Sequence, residues 1–387
     1  MSSPQPATRL PKPWLRLVVG RQQAENLRRR IRSRGGNAPP LDGAASADIA
    51  GLRYVDDTTI PGIKRVGPKR YVDAKGRVVS NREVLHRIAS LVIPPAWRDV
   101  WICPHPLGHL QATGRDARGR KQYRYHPRWR EMRDDVKYGR LIAFAETLPR
   151  IRQHTAADLD RTGLPREKVL AAVVQLLEKT LIRIGNDEYA RQNQSFGLTT
   201  MRDKHAKISG ASVRFEFRGK SGIAHCVDLH DARLARIVKK CRDLPGHELF
   251  QYIDDGGRRQ TIGSADVNAY LREITGDAFT AKDFRTWACT VLAARELSAM
   301  DKCDSEREAK RQIVRAVESV AKQLGNTKTV CRKSYIHPAV LDAYSNGQLV
   351  IARRARPRRA QAGLAPIELA VVEMLRPKLR PAKRAAV

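Results

Sequence analysis

Between Lys168 and Gly185 the chain runs KVLAAVVQLLEKTLIRIG, with Val169, Val173, Leu177, Leu181 and Ile184 at spacings of four and three. That spacing lays one apolar stripe along a helix, which needs a core to pack against. The period then changes. In SVRFEFRGKSGIAHCVDL, Val213, Phe215 and Phe217 alternate with polar residues, as do Ile223, His225, Val227 and Leu229 beyond GKSG. A period of two around a glycine turn predicts a β-hairpin with Lys220 at its tip. Helix and hairpin in succession direct the reading to an α+β fold.

At 387 residues the chain exceeds one ordinary domain, so two lobes are expected. Residues 1–48, which include RRRIRSRGG, hold too little apolar material to offset ordering entropy and read as a flexible basic arm. Residues 49–135 carry short strand signals (RYVDAKGRVVS, DVWICPH, KQYRYH) and one helix opened by a Ser80-x-x-Glu83 capping box. This reads as a small β-rich lobe. Residues 136–345 read as a mainly helical lobe, entered by a linking helix near 135–156. Within it Thr280-x-x-Asp283 opens a helix with Arg285 in its first turn, and Ser305-x-x-Glu308 opens a long helix that ends at Gly325. Residues 346–387 form a basic extension with one short amphipathic helix, IELAVVEMLR.

The formal net charge of +33 points to a polyanionic partner. No apolar run approaches the roughly 20 residues of a membrane span, and the N-terminus lacks an apolar signal core, so no membrane partner and a cytoplasmic location are expected. The six cysteines are scattered without a CxxC and read as reduced thiols. His225 and His230 lack a third ligand at metal spacing and read as packing or surface residues; GRDARGRKQ lacks a Walker pattern, so neither metal nor nucleotide is indicated.

Displacement at a phosphodiester gathers negative charge on the non-bridging oxygens, and a site without a metal must meet it with fixed cations, usually arginines. Arg183 and Arg285 are the candidates. Lys220 could protonate a departing 5′-oxygen, and Tyr335, in LGNTKTVCRKSYIHP just ahead of a proline-started helix, is a candidate nucleophile. Lys328, Arg332 and Lys333 are cations near it in sequence. Taken singly, each also fits a solvated helix cation or a half-buried ring.

Together LIRIGNDEYA, FGLTTMRDKH, FRGKSG, TAKDFRTWACT and LGNTKTVCRKSYIHP resemble, in order and spacing, the type IB DNA topoisomerases, in the smaller poxvirus-like form found in bacteria. The resemblance spans roughly residues 50–345. It implies a clamp around duplex DNA, with Arg183 and Arg285 as the two arginines, Lys220 as general acid and Tyr335 as nucleophile. Asn326 falls where many relatives carry histidine, and its amide can donate a hydrogen bond without carrying charge. It further implies that residues 136–345 are the catalytic lobe and 49–135 a DNA-binding cap in which Gln122, Tyr123 and Tyr125 meet DNA; Arg120, Lys121 and Arg124 beside those aromatics suit phosphate and groove contacts. An ordinary basic edge strand is the alternative there. The implied reaction is relaxation of positive and negative supercoils through a 3′-phosphotyrosyl intermediate, without ATP, metal or other cofactor, by a nucleoid-associated monomer. A tyrosine recombinase and a noncatalytic DNA-binding protein are the rival readings; recombinases usually place histidine where Lys282 stands here.

Overall fold

The computed structural model describes residues 43–276, 279–300, 303, 305–349 and 363–376. The expected arm up to residue 42 and the basic runs at 350–362 and 377–387 lie outside them. The chain separates into two compact units between Gly139 and Arg140.

The first unit begins inside the segment expected to be unstructured. Helix α1 (Gly43–Ile49) forms because Ala47 and Ala50 pack with Leu52, Trp129 and Met132, a cluster large enough to offset the ordering entropy of so short a helix. Strands β1 (Ile63–Arg65) and β2 (Tyr71–Val72) follow, then helix α2 (Arg82–Ser90). Asn81, not Ser80, caps α2: its side-chain oxygen accepts from the Glu83 and Val84 amides at 2.9 and 3.1 Å. Strands β3 (Arg98–Ile102), β4 (Leu110–Arg115) and β5 (Lys121–Tyr125) complete an antiparallel sheet in the order β2-β1-β3-β4-β5. Ile63, Val100, Ile102 and Ala112 bury one face of it against Ile88 of α2. In place of a single linking helix, two form: α3 (Pro127–Gly139) and α4 (Leu141–Leu159). The break falls at Gly139, the poorest helix former in the stretch apart from Pro149.

In the second unit α4 is followed by α5 (Arg166–Thr180), α6 (Asp187–Asn193), the antiparallel strands β6 (Ala206–Ser209), β7 (Ser212–Arg218) and β8 (Ala224–His230), and α7 (Ala232–Arg242). A small β9 (Gln251–Ile253) and β10 (Arg259–Thr261) pair leads to α8 (Ser264–Thr275), α9 (Ala281–Ser298), α10 (Glu306–Leu324), α11 (Lys328–Ser334), α12 (Pro338–Ser345) and α13 (Pro366–Leu375). The stripe read on α5 understates its burial. Every residue from Val169 to Val174 is buried, as are Leu176 and Leu177, because Ala171 and Ala172 let neighbours approach the side the stripe left open. The hairpin forms as expected, with Val213 opposite Leu229, Phe215 opposite Val227 and Phe217 opposite His225.

The short C-terminal helix also forms, and it is anchored by charge. Glu368 at its start accepts from Arg152 Nη1 and Nη2 of α4 at 3.0 and 2.8 Å and from Trp287 Nε1 of α9 at 3.1 Å. Arg152 also reaches Glu178 of α5 at 2.6 Å. One partly buried network thus joins four helices around the element that carries Arg285.

Candidate active site

The site is assembled where helices end. After α5 the chain turns at Leu181, which adopts the left-handed conformation (φ 57°) at a cost on the order of 1 kcal/mol for a side chain of this kind. The turn delivers the Leu181 carbonyl to Arg285 Nη1. The next residues are pinned by a crossing segment: the Arg183 carbonyl accepts from Leu198 N at 2.8 Å and that of Ile184 from Thr199 N at 2.6 Å. Only glycine fits at 197, where a Cβ would lie 2.5 Å from both the Arg183 oxygen and Gly185 N. Arg183 therefore sits just beyond the helix, on a fixed backbone.

Helix α9 opens with the expected box, Thr280 N donating to Asp283 Oδ2 at 2.8 Å. Arg285 falls in its second turn rather than its first and is only 5% exposed. Besides Leu181 it donates to the Leu324 carbonyl at 3.1 Å, so one guanidinium ties together the ends of α5 and α10. Gly325, with φ 61°, closes α10, and Asn326 N returns to the Ala321 carbonyl at 3.0 Å. That return turns the Asn326 side-chain oxygen to Arg183 Nη2. Its Nδ2 is buried without a partner among the described residues.

Tyr335 follows α11 immediately and precedes Pro338, the first residue of α12. Thr290 of α9 clasps this junction, donating to the Tyr335 carbonyl at 3.3 Å and accepting from His337 N at 3.1 Å. Cys331, one turn earlier, hydrogen-bonds Cys289 of α9. The Arg285 guanidinium lies 5.5 Å from the Tyr335 ring centre, and Arg183 hydrogen-bonds the Tyr335 side chain. Burial first, then the Arg285 charge, lowers the pKa of Arg183, with Tyr335 acting the other way; an arginine so shifted stays cationic at neutral pH.

Lys220 stands in the short turn between β7 and β8, shaped by positive φ at Ser221 (66°) and Gly222 (77°). With Arg183, Arg285 and Tyr335 it lines a pocket of about 300 Å³. Sequence reading missed Tyr189, Ser195 and Phe196 on its wall; Lys282, weighed only as a departure from recombinases, lines it as well. No carboxylate is among the lining side chains. Lys328, Arg332 and Lys333 are absent from this wall. They line a separate depression on another face of α11, where Lys328 pairs with Glu318 at 3.0 Å, so the cations that meet Tyr335 are the distant Arg183 and Arg285.

In the first unit, the residues expected to meet DNA gather on β5, the edge strand, and its turn. Tyr123 is exposed and stacks on Tyr125, with centroids 6.0 Å apart. The neighbouring polar groups are engaged by carboxylates: Arg120 with Asp116 at 2.7 Å, Lys121 with Asp57 at 2.7 Å and Gln122 with Asp116 at 3.0 Å. Asp116 organises the turn, accepting also from the Arg118 and Arg120 amides at 2.9 and 3.0 Å.

Comparison with known proteins identifies the family. The family model described as the eukaryotic DNA topoisomerase I catalytic core matches residues 126–357, a span that contains the whole pocket. That of the bacterial DNA topoisomerase IB N-terminal domain matches residues 70–116. The DNA topoisomerase 1B of Acanthamoeba polyphaga mimivirus is 33% identical over 278 residues, 69% of this chain and 83% of the viral one. The DNA topoisomerase 1B of vaccinia virus (strain Copenhagen) is 21% identical over 238 residues, 61% of this chain and 73% of its own. The DNA topoisomerase 1 of rabbit fibroma virus (strain Kasza) is 22% identical over 245 residues, 61% and 72% respectively. With the match spanning most of the chain, this protein belongs to the type IB DNA topoisomerase family.

Proposed function

We propose that this topoisomerase relaxes positive and negative supercoils by transient cleavage of one strand, with Tyr335 as nucleophile. The phenolic oxygen attacks a backbone phosphorus and gives up its proton to solvent; the bond from phosphorus to the 5′-oxygen breaks, and Lys220 protonates that oxygen as it leaves. One phosphoester replaces another, giving a 3′-phosphotyrosyl link and a free 5′-hydroxyl. Torsion drives rotation about the intact strand. The 5′-hydroxyl then attacks the link and Tyr335 departs, so no ATP is consumed. Arg183 and Arg285 meet the charge on the non-bridging oxygens, and the Asn326 amide donates a further hydrogen bond.

The observation that carries this reading is that Arg183, Arg285, Lys220 and Tyr335 line one pocket, with Arg183 bonded to Tyr335 within it and to Asn326 behind it. Tyr123 and Tyr125 are proposed to stack on or pack against DNA, while Arg120, Lys121 and Gln122 exchange their carboxylate partners for phosphate and groove contacts. The protein is proposed to act as a nucleoid-associated monomer, its basic termini adding salt-sensitive affinity.

Plasmid relaxation in EDTA without ATP, followed by denaturing capture of the adduct, tests the chemistry. Tyr335→Phe should bind DNA as before and yield no adduct. Activity abolished by the chelator would overturn the metal-free route. A requirement for paired sites and multimers would favour strand exchange instead.

A further inference from the structure

His225 lies flat on Phe217, its cross-strand partner, with ring centroids 5.1 Å apart and planes 10° from parallel. Two glycines close on the edges of its ring. A Cβ at Gly219 would stand 2.6 Å from Cδ2, and one at Gly325 would stand 2.2 Å from Cε1. Gly219 immediately precedes Lys220, and Gly325 immediately precedes Asn326. The imidazole therefore fills the gap between two turns that are distant in sequence, each of which carries a residue of the site.

The charged groups that face the ring are Arg183, beyond α5, and Arg285, on α9; β7 offers Phe217, and the end of α10 offers Gln323 and Leu324. Burial first, then those two charges, holds the imidazole pKa below its ordinary value, so the ring is uncharged at neutral pH. Its Nε2 is buried without a partner among the described residues.

We propose that His225 is a positioning residue: its imidazole is the spacer that holds the Lys220 turn at its working distance from the Asn326 turn. The proposal rests on the reading of Lys220 as proton donor. Without the ring, the short turn shifts toward the void and carries the ammonium away from the leaving oxygen. A displacement of about 1 Å can slow such a step about 100-fold.

The test is single-turnover cleavage of two duplexes that differ only in the leaving atom, oxygen or sulfur, at the scissile 5′-bridging position. A thiolate departs without a proton, so a misplaced donor matters only for oxygen. His225→Ala should cleave the oxygen substrate about 100-fold slower than wild type and the sulfur substrate within about 5-fold of it. Equal losses on both would overturn the positioning role. Lys220→Ala must show the same rescue. If it does not, the reading of Lys220 fails; if it does while His225→Ala does not, only the spacer fails. A second arm uses Gly219→Ala, whose methyl would strike the ring. It should slow cleavage in wild type and add nothing in the His225→Ala background, and additive losses would overturn the proposal.

Discussion

In the pocket, Arg285 donates to the carbonyls of Leu181 and Leu324, and Arg183 donates to the amide oxygen of Asn326. On the edge strand β5 and its turn, Arg120 and Lys121 face the carboxylates of Asp116 and Asp57. Neutral acceptors fix a guanidinium without cancelling its charge, whereas carboxylates fix and cancel together. On the proposed reading the pocket is thus preorganised for an incoming anion, while the edge strand would exchange partners to receive one. The network around Arg152 carries the contrast into the second unit, where a cation bound by Glu178 and Glu368 holds helices together. Arg152 on two carboxylates supports the fold, and Arg183 and Arg285 on neutral acceptors are the cations proposed for the chemistry.

The sharpest way to break that contrast is Arg183→Ala. Loss of a cation matched to transition-state charge should slow strand cleavage by about 10³-fold or more, while the thermal midpoint moves by only a few degrees. Single-turnover cleavage and a melting curve check it. A midpoint that collapsed along with the rate would mean that Arg183 is structural, like Arg152, and the distinction would fail.

Glu368→Ala should do the reverse. It leaves Arg152 with Glu178 alone and leaves the buried Trp287 indole N–H without its acceptor, and an unmet buried donor costs about 1–3 kcal/mol. The variant should melt well below the parent yet cleave DNA at a near-parental rate where it remains folded. Burial alone would raise the Glu368 pKa, but the Arg152 hydrogen bond and charge outweigh it and hold the carboxyl below its ordinary value. A depressed folded pKa gives stability that is present above the unfolded value of about 4.3 and is lost as pH falls through the folded one. Acid titration of Glu368→Gln should therefore show a shallower loss of stability below about pH 4 than the parent does. Parallel curves would remove Glu368 from the acid response.

Much of this was legible in the sequence because it is local. The hairpin register, the Thr280 box and the glycine stop at Gly325 follow from residues within a few positions of each other, and each places a candidate side chain. The Asn81 cap and the break at Gly139 were misread because near-equivalent neighbours compete and tertiary packing decides between them. Helix α1 was missed because its stability comes from Trp129 and Met132, far along the chain. In the pocket, the residue types were readable but their partners were not: Arg285 meets carbonyls at residues 181 and 324, and no sequence pattern specifies which backbone oxygen a guanidinium will find. His225 did leave a signal, since pairing across a short glycine turn puts it opposite Phe217, but its contact with Gly325 joins segments that only the fold brings together.

The smallest expected effect lies on the edge strand. Asp57→Asn keeps the acceptor for the Thr113 hydroxyl, which bonds Asp57 at 2.7 Å, while it removes the charge that holds Lys121. If Lys121 trades a carboxylate for phosphate on binding, releasing it beforehand should strengthen DNA affinity at low salt by no more than about 3-fold and steepen the slope of log K against log salt by up to about 0.9. Cleavage of bound DNA should not change, because the pocket already holds its cations on neutral props. Equilibrium titration at several salt concentrations reads both quantities. An unaltered slope would mean that Lys121 never reaches phosphate, leaving the Tyr123 and Tyr125 rings to carry the contact at this edge and confining preorganised positive charge to the pocket.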